Sequence, residues 1–220
     1  MAGLFLLCAW RKKLLNKLIM IQNCVFDFGR VLVGFDVHRL YDPLFGGDRD
    51  KVEWFGRHVI AESWVRRLDI GEPFDRCVHD LQLQFPAYAD AIAAYDVRYQ
   101  DMVGEELEGM RDLLLSLRHK GFRLYGLTNW SYKVYDVMRT HGIFSLLDGA
   151  LISSEVHLLK PDVRIYESFL SRFDLRGEDC VFVDDRTENV EGALKAGFGA
   201  AFRFSDAKRL RADLHTIMEF

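Results

Sequence analysis

The chain has 220 residues, half of them apolar and 28% charged, a composition typical of a globular protein with a substantial hydrophobic core. Its formal net charge is −4, which gives no basis for binding nucleic acid or an anionic membrane, so a small molecule is the expected partner. Four scattered cysteines form no C-x-x-C pair, which favours a reduced, cytoplasmic protein and argues against structural zinc. The length fits one large domain, or a core with one substantial insertion. The protein is expected to be a monomer or a dimer.

Residues 1–19 are expected to be an extension that the fold does not need. The apolar run from Leu4 to Trp10 is too short to span a bilayer, and the basic residues follow it rather than precede it, unlike those of a signal peptide. Met20 directly precedes the first convincing strand. A protein that begins at Met20 is therefore expected to be functional.

The first predicted strand, residues 21–26, ends on an acidic residue. Asp27 interrupts the apolar run, Gly29 follows, and the run resumes at Val31. Ligands of open α/β sheets bind at the carboxyl ends of strands, which makes Asp27 a candidate site residue. Taken alone, the motif is better explained by an aspartate that caps its own turn.

The section between residues 33 and 103 contains no convincing strand. Apolar residues at helical spacing predict helices over 50–68, 73–84 and 88–102. These helices indicate an insertion smaller than a typical independent domain, which we place at residues 36–103. The remaining core then consists of residues 20–35 and 104–220.

Helices and strands alternate after residue 105, which predicts an α/β fold with a doubly wound parallel sheet. A helix with an apolar face from Leu107 to Leu117 comes first. Further strands are predicted at 122–127, 150–152, 180–183 and 200–204. Further helices are predicted at 132–140, 161–172, 187–196 and 206–218.

Polar residues end three of the predicted strands, and a lysine precedes a predicted helix. Each is explained equally well by a turn, a helix cap or a solvated side chain when it is taken alone. The residues, in chain order, are Asp27, Thr128, Asn129, Lys160, Asp184 and Asp185.

In this order the motifs VFDFGRVLV, LTNW, LKPDVRIY and VFVDDRTENVEGA resemble those of the haloacid dehalogenase-like (HAD) hydrolase superfamily. The D-x-G first motif is similar to that of its small sugar-phosphate phosphatases. The resemblance spans residues 21–204 and places the helical insertion where this superfamily carries a cap domain. It implies that Asp27 is a nucleophile that forms an aspartyl-phosphate, and that Lys160 is a catalytic cation that also binds the phosphoryl group.

The resemblance also assigns substrate and metal ligands. Thr128 and Asn129 are expected to bind the phosphoryl oxygens together with Lys160. A Mg²⁺ cofactor is expected because two anions must meet and because it prefers oxygen ligands. The expected ligands are Asp27, the carbonyl of Gly29, Asp184 and Asp185.

Gly29 departs from the family pattern, in which a second aspartate at this position protonates the leaving group. The favoured function is a Mg²⁺-dependent phosphatase of small phosphorylated metabolites such as sugar phosphates, with slow turnover of poor leaving groups. One alternative is a 2-haloacid dehalogenase that uses Asp27 without metal, although the Asp184–Asp185 pair would then lack a purpose. Another is a binding or regulatory protein that has kept the fold with weak catalysis.

Overall fold

The computed structural model describes residues 21–220, so the predicted extension over 1–19 lies outside the described residues. The strands in chain order are β1 (Asn23–Phe26), β2 (Val33–Phe35), β3 (Val103–Glu106), β4 (Arg123–Thr128), β5 (Gly149–Ile152), β6 (Cys180–Asp184) and β7 (Ala200–Arg203). The helices are α1 (His38–Leu44), α2 (Arg49–His58), α3 (Glu62–Asp69), α4 (Phe74–Gln84), α5 (Ala89–Val97), α6 (Met110–His119), α7 (Val134–Thr140), α8 (Ser153–Val156), α9 (Val163–Arg172), α10 (Thr187–Lys195) and α11 (Ala207–Leu214). Short 3-10 turns occur at Pro86–Tyr88, Tyr99–Met102, Gly142–Leu146 and Gly177–Asp179.

Five strands form a parallel sheet in the order β5-β4-β1-β6-β7. β1 lies at the centre and all four of its residues are buried, as expected for an apolar strand covered on both faces. Phe26 is in register with Gly126 of β4 on one side and with Val183 of β6 on the other. The chain therefore leaves β1 for Asp27 between the ends of two neighbouring strands.

Helices cover both faces of the sheet, which confirms the predicted doubly wound α/β fold. Side chains alternate along β1, so Cys24 and Phe26 contribute to one apolar cluster and Val25 to the other. Residues of α6, α7 and α11 pack in the first cluster, and residues of α9 and α10 in the second. Burial of both faces explains why the strands read as short apolar runs without polar alternation.

Helices α1 to α5 occupy the chain between β2 and β3. These two strands pair antiparallel, so the chain enters and leaves the helical segment side by side. Gly34 and Gly104 face each other closely enough that a Cβ on either would lie 3.2 Å from the other's Cα. Strands this short, with glycines at the point of contact, carry no apolar alternation, so no pattern in the sequence predicts them.

Several predicted helices have different bounds in the structure. The segment 88–102 is divided into α5 and the 3-10 turn at Tyr99–Met102, and the helix expected over 206–218 ends at Leu214. The segment 50–68 is two helices because Val59 and Ile60 turn inward and are buried, and Ala61 is extended. The helix expected from Leu107 begins at Met110, after Gly109 in the left-handed conformation. Among residues 21–220, the structure contains no helix with the length and apolar character needed to cross a membrane.

Candidate active site

The predicted site residues lie at the carboxyl ends of three neighbouring strands. Asp27 follows β1, Thr128 ends β4 and Asp184 ends β6. The Asp27 backbone N–H donates to the carbonyl oxygen of Val183 at 2.9 Å, which continues the β1–β6 pairing as far as the aspartate. Pairing within the sheet thus fixes the backbone from which each of these side chains projects.

Lys160 lies at the centre of this group although it comes from the loop before α9. Its side chain is 1% exposed, and its Nζ lies 2.9 Å from Asp27 Oδ1 and 2.6 Å from Asp184 Oδ2. Nζ also donates to the Leu127 carbonyl oxygen at 2.9 Å. Three oxygen atoms therefore hold the ammonium group between two carboxylates, away from water.

Asp184 is fully buried, and both of its carboxylate oxygens accept hydrogen bonds. Oδ2 accepts from Lys160, and Oδ1 accepts from the Arg186 backbone N–H at 2.9 Å. The Asn189 amide donates to both oxygens, at 3.0 and 3.1 Å. A carboxylate with these donors has little capacity for another ligand, so Asp184 is suited to holding Lys160 and Asn189 in place.

Burial has the largest effect on the ionisation of the acidic residues. It raises the pKa of Asp27 to about 6, while the charge of Lys160 acts in the opposite direction. It also raises the pKa of Asp185, to which the charge of Asp184 adds. Burial alone would lower the pKa of Lys160, but the charges of Asp184 and Asp27 outweigh it and raise that pKa. Lys160 is therefore charged at neutral pH, and another cation at Asp27 and Asp185 would favour their ionised forms.

Asn129 and Thr128 follow one another at the end of β4 but have different surroundings. The Asn129 side chain forms a pair of hydrogen bonds with the Lys160 backbone, donating to its carbonyl at 3.0 Å and accepting from its N–H at 2.8 Å. These bonds anchor the loop that carries Lys160. Thr128 is buried, and its hydroxyl lowers the pKa of Asp27 through a hydrogen bond. The predicted contacts of Thr128 and Asn129 with substrate stay predictions.

The acidic residues present a donor set that fits a divalent cation. Asp27, Asp184 and Asp185 each have a carboxylate oxygen, and these atoms all lie within 4.8 Å of one another. Hydrogen bonds already engage both oxygens of Asp184, so Asp27 and Asp185 are better able to hold the cation. Among residues 21–220, no aligned hydrogen-bond donor engages Asp27 Oδ1, although Lys160 is close, so this buried oxygen retains capacity for a ligand. Clustered oxygen ligands are those that Mg²⁺ prefers.

Gly29 lies at the same edge of the sheet and lines a cavity with Asp27 and Asp185. Within residues 21–220, no backbone N–H donates to its carbonyl oxygen. A Cβ at this position would lie 3.4 Å from the Trp130 ring, an ordinary van der Waals contact. A Cβ therefore fits at position 29, which lines the cavity, and the absence of an aspartate changes the chemistry of the site rather than its fold.

The cavity above these residues has a volume of about 210 Å³. Much of its wall beyond the strand ends is aromatic or apolar, formed by Phe35, Val65, Tyr95, Tyr99 and Trp130. It also contains charged residues that the sequence did not indicate, namely Arg30, Glu62, Arg66, Asp69 and Arg186.

Asp69, at the end of α3, is the residue that sequence reasoning missed most clearly. Residues 69–72 look like a polar connection between two helices. Helical periodicity identifies Trp64 and Leu68 as the buried face of α3, but it does not show where the last residue of a helix points. An acidic residue before a glycine turn was the one available signal, and it is a weak one.

The model of the haloacid dehalogenase-like hydrolase family matches residues 22–197. The chain therefore belongs to this family, as the motifs indicated, and the protein is a hydrolase. Asp27, Lys160 and the Asp184–Asp185 pair, which lie together at the carboxyl edge of the sheet, form the candidate site for this chemistry.

Relatives that align over most of the chain include phosphatases and a dehalogenase. The sesquiterpene phosphatase astK of Aspergillus oryzae is 29% identical over 80% of this chain and 86% of its own length. A phosphatase of Mycobacterium tuberculosis is 27% identical over 82% of this chain and 86% of its own. The (S)-2-haloacid dehalogenase 1 of a Pseudomonas strain is 24% identical over 81% of this chain and 82% of its own length.

Solved structures share the fold at low sequence identity. A HAD-like hydrolase from Porphyromonas gingivalis superposes with a TM-score of 0.71 at 20% identity, over 91% of this chain and all of that one. A HAD-family enzyme from Bacteroides thetaiotaomicron was solved in complex with magnesium and inorganic phosphate. It superposes with a TM-score of 0.63 at 18% identity, over 84% of this chain and 95% of that one. The sheet and its flanking helices are thus those of the family.

Proposed function

We propose that this hydrolase is a Mg²⁺-dependent phosphatase that cleaves small phosphate monoesters, sugar phosphates among them, through an aspartyl-phosphate on Asp27. The observation that carries the proposal is the Asp184–Asp185 pair, which places two more carboxylates beside Asp27 and Lys160. A dehalogenase of this family uses no metal, so it would have no use for that acidic cluster. Two phosphatases among the relatives support the same choice.

Asp27 supplies the nucleophile in the proposed reaction. One carboxylate oxygen forms a bond to phosphorus while the bond from phosphorus to the leaving oxygen breaks, and water later cleaves the aspartyl-phosphate to release phosphate. Lys160 neutralises part of the charge that accumulates when the carboxylate meets the phosphate. The Thr128 hydroxyl donates to a phosphoryl oxygen in the same way.

Asp27, Asp185 and the Gly29 carbonyl would hold the metal in this proposal, while Asp184 contributes mainly by fixing Lys160. When bound, Mg²⁺ supplies positive charge to the transferring phosphoryl group and reduces the repulsion between the two anions. The Bacteroides structure with magnesium and phosphate supports this assignment through a shared fold.

The test compares phosphate release and halide release by the full chain. We expect the protein to hydrolyse p-nitrophenyl phosphate in the presence of Mg²⁺. EDTA should abolish this activity and added Mg²⁺ should restore it, whereas Asp27→Asn should be inactive. Asp75→Asn is the matched control, because Asp75 is exposed on α4 and outside the cavity; it should keep full activity.

Other outcomes favour the alternatives. Release of chloride from 2-chloropropionate without metal, together with no phosphate release, would favour the dehalogenase. Inactivity towards both substrates, with retained binding of Mg²⁺ and inorganic phosphate by calorimetry, would favour a binding or regulatory protein.

The aromatic wall of the cavity supports esters whose organic part is apolar or presents a ring. A panel should therefore contrast sugar phosphates, which the first motif suggests, with a sesquiterpene phosphate ester, which the Aspergillus relative suggests. The class of ester that the protein hydrolyses with the higher kcat/KM identifies its preferred substrates.

A further inference from the structure

Phosphate ester hydrolysis needs a proton donor for the leaving oxygen, and position 29 supplies none. The cavity contains few other groups able to fill that role. Asp27 and Asp185 are assigned to the nucleophile and the metal, and the Lys160 ammonium is held by three oxygens. Burial raises the pKa of both Tyr95 and Tyr99 well above the ordinary value, so they are poor acids at neutral pH.

Two carboxylates of the helical segment remain in the cavity wall. Glu62, at the start of α3, is exposed and pairs with Arg186 at 3.1 Å. Asp69, at the other end of the same helix, is only partly exposed and lines the cavity with Asp27 and Gly29. Asp69 is therefore the carboxyl group with the better access to a phosphate ester and the poorer access to bulk water.

The end of α3 that carries Asp69 is anchored to the core at three places. The Ser153 hydroxyl donates to the Asp69 carbonyl at 2.6 Å, and His157 Nδ1 donates to the Ile70 carbonyl at 2.7 Å. Gly71, with a φ of 97°, packs so closely on the Ser154 carbonyl that a Cβ would lie 2.8 Å from that oxygen. These contacts fix the backbone of Asp69 against the edge of the sheet where Asp27 lies.

The surroundings of the Asp69 carboxyl favour its protonated form. Burial raises its pKa to about 7, and the negative charge of Asp27 adds to the effect. The charges of Arg66 and Lys160 and the Ser131 backbone N–H act in the opposite direction. At neutral pH both forms are thus populated, as a group that must give and then take a proton requires. The tyrosines Tyr95 and Tyr99 also face this carboxyl group.

We propose that Asp69 is the general acid and base of the phosphatase, in place of the aspartate that position 29 lacks. As Asp27 attacks phosphorus and the bond to the leaving oxygen breaks, the Asp69 proton passes to that oxygen and the alcohol departs. Asp69, now a carboxylate, then takes a proton from the water that attacks the aspartyl-phosphate. Phosphate leaves, Asp27 is regenerated and Asp69 is protonated again. This inference rests on the proposed function.

The test is Asp69→Asn with two esters that differ in their need for the proton. On an alkyl phosphate, kcat should fall by about 10²-fold or more, the usual contribution of a general acid. Dinitrophenolate leaves without protonation, so the first step with dinitrophenyl phosphate should keep its rate. Hydrolysis of the intermediate would lack its base, so we expect a burst of dinitrophenolate and a phosphorylated enzyme visible by mass spectrometry.

Rescue separates a chemical role from a structural one. Gly29→Asp added to Asp69→Asn should restore part of the activity on the alkyl ester, because a Cβ fits at position 29 and this position lines the cavity. Asp75→Asn is the control for the loss of a carboxylate in the same helical segment and should behave as the wild type.

The outcomes distinguish the inference from the proposed function. If the wild type hydrolyses neither ester, the proposed function is wrong. If the wild type hydrolyses both and Asp69→Asn matches it on the alkyl ester, Asp69 is not the acid. Equal losses on both esters, without a burst and without rescue by Gly29→Asp, would also contradict the proposal, because they indicate displacement of the site.

Discussion

Lys160 is the residue on which the charge balance of the site depends. Three carboxylates and one ammonium group lie together, so with all four ionised their charges add to −2. A divalent cation would bring that sum to zero before an anionic substrate enters. Burial raises the pKa of Asp27, and the charge of Asp184 adds to it while the charge of Lys160 acts in the opposite direction.

Asp69 extends the same principle to the cavity wall and makes stability depend on pH. Its pKa is about 7 in the folded state, against 3.8 for an exposed aspartate. The folded state therefore binds this proton more tightly than the unfolded state does. The resulting stabilisation is complete below about pH 4 and is lost as the pH rises through about 7.

We therefore expect Asp69→Asn to become more stable relative to the wild type as the pH rises from about 4 to about 8. The difference in free energy of unfolding should change in favour of the variant by at most about 4 kcal/mol, the equivalent of the pKa difference. Urea unfolding at several pH values measures it. Asp75→Asn, which removes an exposed carboxylate, should show no such trend, and a flat difference for Asp69→Asn would contradict the raised pKa.

At the scale of elements, the turn after α3 is the place where the helical segment packs against the core around α8. Gly71 lies in this turn with a left-handed φ and contacts the Ser154 carbonyl, next to the Ser153 hydroxyl that binds the end of α3. That hydroxyl also accepts from the Trp130 backbone N–H at 2.9 Å. One serine thus joins α3, α8 and the residues that follow β4.

Replacing Gly71 by alanine should separate α3 from the core and lower phosphatase kcat on alkyl phosphates, because it moves Asp69. The left-handed φ alone costs about 1–2 kcal/mol for a residue with a Cβ. Gly47→Ala is a matched control, since Gly47 lies in the same helical segment at a φ of 83° with no atom within 4 Å of a Cβ. Gly71→Ala should lose more stability in urea than Gly47→Ala, because only its Cβ meets a backbone atom, the Ser154 carbonyl oxygen at 2.8 Å. Equal kcat values for the two variants would contradict the role of the turn.

The sequence predicted those elements whose apolar pattern is set by burial. β1, β4, β5, β6 and β7 lie within two residues of their predicted bounds, because covered strands require continuous apolar runs. β2 and β3 were missed because they depend on two facing glycines, a contact between residues 34 and 104 that no local pattern reveals. The break at residues 59–61 was missed because both halves share one helical periodicity.

Some residues of the candidate site could likewise be predicted from the sequence, and others could not. Asp27, Lys160 and Asp184 stand out in the sequence because each interrupts or follows an apolar strand or precedes a helix. Asp69 reaches the cavity only through the docking of α3 on α8, which depends on contacts 84 and 87 residues apart in sequence. Tertiary contacts of this kind are not encoded in the spacing of a single segment.

At the scale of the whole molecule, the helical segment and the sheet share one hydrophobic core. Leu68 of α3 and Phe55 of α2 belong to the same cluster of buried side chains as Leu113 of α6 and Phe26 of β1. Because these side chains belong to one cluster, loss of packing in the helical segment removes contacts from the sheet as well. We therefore expect the helical segment and the sheet to unfold together, although the helical segment is an insertion between β2 and β3.

Leu68→Ala tests this expectation. Leu68 is 1% exposed, and truncation of a buried leucine costs about 2–5 kcal/mol. Native-state hydrogen exchange in urea should show that peptides from β4 and from α4 lose protection by the same amount, because both exchange through one global opening. Leu83→Ala is the matched control, since Leu83 lies on α4 and is 70% exposed, and it should change neither peptide. Loss of protection in α4 alone would show that the helical segment unfolds independently of the sheet. The shared core would then not couple the helical segment, which forms part of the cavity wall, to the sheet that carries Asp27.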